Sequence, residues 1–65
     1  MEAFNVMLMD GRVGRIVVAD VSDVRDDPAG NPGVSVIVAN RTNIRVLHPR
    51  TWVLAELDKA RKRPS

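Results

Sequence analysis

Cysteine is absent from this 65-residue chain, and Phe4 and Trp52 are its entire aromatic content. Without thiols there are no disulfide staples, no Cys-type zinc or iron–sulfur site and no thiol catalysis, and nothing points to an oxidising compartment. His48 is the lone histidine, so one chain cannot build a His-rich metal site, and no cofactor is expected. No apolar run approaches the ~18 residues of a membrane span, and the opening MEAFNVMLMD has an acid where a signal peptide has cations. The expectation is a cytoplasmic protein with no membrane partner. A chain of this length buries only about 60% of the surface its unfolded form exposes, so residues 1–65 make one small domain whose core is marginal.

The net charge of +2 conceals an uneven distribution. Residues 1–30 hold Arg12, Arg15 and Arg25 against Glu2, Asp10, Asp20, Asp23, Asp26 and Asp27, a balance of −3. Residues 31–65 hold Arg41, Arg45, Arg50, Lys59, Arg61, Lys62 and Arg63 against Glu56 and Asp58, a balance of +5. Eight of the ten cations are arginines, whose planar fork suits phosphate or carboxylate better than the point charge of lysine. A basic second half favours an anionic partner, nucleic acid being the usual one.

Phe4, Val6 and Leu8 alternate with Asn5, Met7 and Met9, which reads as a strand with one apolar face. Asp10-Gly11 supplies a hairpin turn, and Arg12 to Val21 is dense in β-branched residues, giving a second strand. Gly14 inside it predicts a bulge or a close backbone approach. Ser22 to Gly33 concentrates Asp, Pro, Gly and Asn without a hydrophobic period, so residues 22–33 read as a long acidic loop. Val34, Val36 and Val38 mark a third strand, Asn40 to Asn43 a turn, and Ile44, Val46 and His48 a fourth strand that Pro49 ends. The last stretch reads either as a fifth strand from Trp52 or as a helix. Strong helix formers from Ala55 to Arg63, Thr51 as N-cap and terminal cations favour the helix, with Trp52, Val53, Leu57 and Ala60 facing the core. Residues 59–65 form a basic C-terminal tail. The fold class is mainly all-β: a small barrel of four to five antiparallel strands, whose closure would hide sticky edges, with a short C-terminal helix.

The run Val6-x-Leu8-x-Asp10-Gly11, then Val13-Gly14-Arg15-Ile16-Val17, Val34 to Val38, Asn40-Arg41-Thr42, Ile44 to Leu47 and Trp52-Val53-Leu54 resembles the SH3-like barrels of the KOW class found in transcription elongation factors and ribosomal proteins. The likeness covers roughly residues 4–57 and implies a binding module, not an enzyme. The loop 22–33 is longer and more acidic than that pattern, and stacking aromatics are missing. Gly14 to Val18, Pro32-Gly33 with Val34 to Val38, and Ile44 to Leu47 are also similar to the swapped-hairpin DNA-binding domains of AbrB and antitoxin proteins. That likeness implies a dimer with a toxin-binding tail at 49–65, although the proline after the first strand is absent.

Gly11-x-x-Gly14 lacks the helix, Lys and Ser/Thr of a P-loop, and the loop acids lack the spacing of a calcium loop. His48 has no partners at a triad spacing, and no catalytic constellation is assembled. The residues that remain are Arg41, Arg45, Arg50, Arg61, Lys62 and Arg63, expected to follow a phosphate backbone from one surface, with Trp52 in the core. The rival expectations are a protein-interaction adaptor or regulator that uses a sheet edge and the acidic loop, and a symmetric oligomer with a shared site. Monomer and small homo-oligomer both fit.

Overall fold

A computed structural model describes residues 2–62 of the chain. Alternation places Phe4 and Val6 inward from strand β1 (Ala3–Met7), which pairs antiparallel with β2 (Val13–Val17) in a register that sets Val6 opposite Gly14. The connection is a three-residue loop: the Leu8 N–H donates to the Arg12 carbonyl at 2.7 Å, and Gly11 takes φ +85°. Glycine reaches that left-handed region without steric cost. Gly14 marks the expected close approach, since a Cβ there would come within 3.0 Å of Leu8 Cδ2.

The apolar run after Val17 does not continue as one strand. A 3₁₀ turn at Val18–Asp20 breaks it, and β3 (Val21–Asp26) then pairs with β4 (Ser35–Ala39), which pairs with β5 (Thr42–Val46), all antiparallel. Residues 22–26, expected in the acidic loop, therefore belong to a strand, and the loop is confined to 27–34. The reason is a register shift between Val21 and Asp23. It lets Val21 and Val24 share the inner face although they lie three apart, which breaks the period-two signal.

An isolated bridge between Leu8 and Val46, with the Leu47 N–H donating to the Met7 carbonyl at 2.8 Å, joins the β1–β2 hairpin to β5. The strands thus follow one another in space as β2, β1, β5, β4, β3. Among the described residues no ladder joins β2 to β3, so the architecture is two antiparallel sheets, linked at one corner, with a helix.

Helix α1 (Arg50–Lys62) begins two residues before the start that an N-cap at Thr51 implies, and Trp52 and Val53 lie in its first turn as expected. Thr51 is inside the helix, not its cap; the Trp52 and Val53 N–H groups both donate to the Pro49 carbonyl. The helix stays on through Lys62, so residues 59–62 are its last turn instead of a tail, and Lys62 meets Asp58 at 2.9 Å. Val53, Leu57 and Ala60 are buried against Val6, Ile16, Val18, Val24, Ile37 and Val46, each large apolar side chain contributing about 1.5–3 kcal/mol. Trp52 is only partly buried at the margin of that core.

Candidate nucleic-acid interface

The cations singled out from the sequence fall on different surfaces. β5 directs Ile44 and Val46 toward the core, so Arg45 between them lies on the outer face of the sheet, away from α1. Its Nη2 donates to Asp27 Oδ1 at 3.2 Å, and the Asp27 side chain has no exposure at all. Asp27 organises the loop: it also accepts from the Ala29 N–H, the Asn31 N–H and Asn31 Nδ2, the last at 2.7 Å. Burial pushes the Asp27 carboxyl up, but these hydrogen bonds and the Arg45 charge prevail and hold it below its ordinary 3.8. Arg45 is therefore a structural partner of the loop as well as a surface cation.

Arg41 occupies the two-residue β4–β5 turn, where Asn40 and Arg41 both have positive φ, +51° and +62°. Turn geometry leaves Arg41 exposed, and the Asn40 N–H fastens the turn to the Asp20 carbonyl at 3.0 Å. Arg63 lies outside the described residues. Lys62 is tied to Asp58, and Lys59 approaches Glu56 at 4.0 Å.

Arg50 and Arg61 line one groove from the same helix. Residues 50, 54, 57 and 61 follow one stripe of α1, and with Val21, Ser22, Asp23 and Val24 they line a groove of about 210 Å³ between helix and β3. Arg50 Nε donates to the Val24 carbonyl at 3.2 Å, which fixes one end of the groove. A rise of 1.5 Å per residue separates the two arginines by about 16 Å along the helix. Asp23 in the groove wall is held below its ordinary 3.8, first by the hydrogen bond from Arg25 and then by the Val24 N–H, with a smaller contribution from the Arg50 charge. Among the described residues Arg15, Arg41, Arg50 and Arg61 form no ion pair, whereas Arg12, Arg25 and Arg45 do. The spacing 50–54–57–61 is the signal that pairs Arg50 with Arg61, and it is legible only once the helix is started at Arg50.

His48 has a structural setting. Its Nε2 accepts from the Met7 N–H at 2.9 Å, its carbonyl accepts from the buried Ser35 Oγ at 2.8 Å, and its ring stacks on Trp52 with centroids 3.8 Å apart. It thus fastens β1, β4 and α1 to the segment between β5 and the helix. Among the described residues no three His, Cys, Asp or Glu side chains gather as a metal site, and no helix is long and apolar enough to cross a membrane. The chain matches no protein-family model, no curated protein and no solved structure.

Proposed function

We propose that this chain is a non-catalytic nucleic-acid-binding module that takes the phosphate backbone along the groove between β3 and α1. The observation that carries the reading is Arg50 and Arg61, two guanidiniums free of ion pairs among the described residues, on one stripe of a helix beside a strand. Arg41, exposed and without an ion pair among the described residues, adds to the attraction, and the resemblance to KOW-class SH3-like barrels implies a binding module, not an enzyme. The phosphate contribution is electrostatic, so binding weakens steeply with salt. An NMR titration of labelled protein with short duplex DNA and with single-stranded RNA, at low and physiological salt, tests it. The expected shifts fall on residues 21–24, 50 and 61 and shrink as salt rises; no shift with either ligand contradicts the reading.

A second reading, a protein-interaction adaptor, draws on one observation. Val13, Met7 and Leu47 are neighbours across β2, β1 and the extension of β5, and they expose 67%, 38% and 42% of their surface. A contiguous apolar stripe on a sheet face is the kind of surface a partner chain covers. Val13→Lys abolishes partner binding on this reading and leaves nucleic-acid binding intact on the first.

A further inference from the structure

The two end strands of the order, β3 and β2, differ at their outer edges. Along β3, Arg50 Nε donates to the Val24 carbonyl at 3.2 Å, the Val24 N–H donates to Asp23 Oδ1 at 2.9 Å, and α1 lies beside the strand. Along β2 the edge is bare. The Leu8 N–H donates to the Arg12 carbonyl and the Val18 N–H to the Glu2 carbonyl, so the even-numbered positions carry the ladder to β1. Hydrogen-bonded pairs alternate in an antiparallel ladder, which turns the N–H and carbonyl groups of Val13 and Arg15, and the Val17 N–H, away from β1. None of these groups has a hydrogen-bond partner among the described residues.

The same odd-numbered positions place their side chains on the outer face, opposite the core face of Phe4, Val6 and Ile16. There Val13 and Val17 flank Arg15, and Val13 continues into the exposed stripe with Met7 and Leu47. Arg15 is exposed, faces the neutral Asn5 across the ladder and forms no ion pair among the described residues. An open strand edge with apolar side chains is a template for another strand. A second copy of this chain fits it poorly, because the two-fold register that uses the whole of β2 sets the two Arg15 side chains opposite each other, and like charges directly opposite destabilise a pair. A strand with a carboxylate at that position reverses the sign of the interaction.

We propose that the free edge of β2 takes an added antiparallel strand from a protein partner, an extended segment with an acidic residue opposite Arg15 and apolar residues opposite Val13 and Val17. Main-chain groups of Val13 and Arg15 supply the hydrogen bonds, and the alternating side chains set the preference. The segment extends the two-stranded β1–β2 sheet to three strands. The inference rests on the protein-interaction reading and is independent of the helix groove.

Two acetylated and amidated peptides, Thr-Val-Thr-Glu-Thr-Val-Thr and the same sequence with Lys in place of Glu, are titrated into the labelled chain at low salt and followed by amide shifts and amide hydrogen exchange. The Glu peptide is expected to shift Val13, Arg15 and Val17, to slow exchange of the Val13 and Arg15 amides, and to bind about three- to tenfold more tightly than the Lys peptide. Arg15→Glu, at an exposed position, is expected to invert that preference. Equal binding of the two peptides, a preference that Arg15→Glu leaves unchanged, or shifts mapping to other strands overturn the proposal. Slowed exchange at Val13 and Arg15 in the free protein, together with a dimer mass in sedimentation, overturns it in favour of a second copy. Shifts confined to Met7 and Leu47, with the Val13 and Arg15 amides still exchanging freely, overturn strand addition and keep the interaction reading. No shift on β1, β2 or Leu47 with either peptide overturns both.

Discussion

Asp27 is a loop aspartate in a run of polar residues, yet its side chain is fully covered and receives four hydrogen bonds. Its folded-state carboxyl is depressed, so its stabilising contribution is complete at pH values well above 3.8 and disappears as pH falls through the lower folded value. Asp23 acts in the same direction. Urea midpoints measured from pH 7 downward are expected to fall below about pH 4 in the native chain. Asp27→Asn is expected to have the lower midpoint at pH 7, and its deficit to shrink in acid; a pH-independent deficit contradicts the role given to the carboxylate. Arg45→Ala removes a partner of the same group, so it is expected to loosen residues 27–34. None of this was legible in the sequence, because the Asp26-Asp27 pair before Pro28 reads as solvated turn chemistry. Only the three-dimensional return of β5 places Arg45 above it.

At the scale of elements, strands β1, β4 and β5 and the existence of the helix follow from alternation and helix propensity. β3 does not, because the irregularity at Val21/Asp23 turns Val21 and Val24 to one face and leaves charged Asp23 and Arg25 on the other. The helix start is obscured by Thr51, a good cap residue that lies one position inside a helix opened by the Pro49 carbonyl. The β4–β5 turn holds a testable strain, since Arg41 sits at φ +62°, where a Cβ costs energy. Arg41→Gly is expected to raise stability by about 0.5–1 kcal/mol after the entropy glycine adds to the unfolded chain. A decrease in the thermal midpoint contradicts the strain assignment.

For the whole molecule, the charge asymmetry visible in the composition resolves into separate surfaces. The sheet separates Arg45 from the helix arginines, so the expected single face of six cations becomes a helix groove with Arg50 and Arg61, an exposed turn with Arg41, and an outer sheet face with Arg45. Sequence alone shows that cations are in excess after residue 30; Lys59 and Lys62 meet acids three and four residues away on the helix, whereas Arg45 is bound to Asp27, eighteen residues away in the chain. The mainly β architecture with one C-terminal helix was legible for a simpler reason, since hydrophobic period and turn residues are local. The Arg45–Asp27 pair is not local, and it decides that Arg45 is less available to a ligand than Arg50 and Arg61.

The most direct test of the phosphate-binding groove is the salt dependence of single-stranded RNA binding, followed by fluorescence anisotropy, for the native chain and for Arg50→Ala/Arg61→Ala. Each single-strand phosphate that the protein ceases to neutralise lowers the log–log slope by about 0.7, so the double variant is expected to bind more weakly with a slope reduced by about 1.4. An unchanged affinity and slope in a double variant that remains folded contradicts the account.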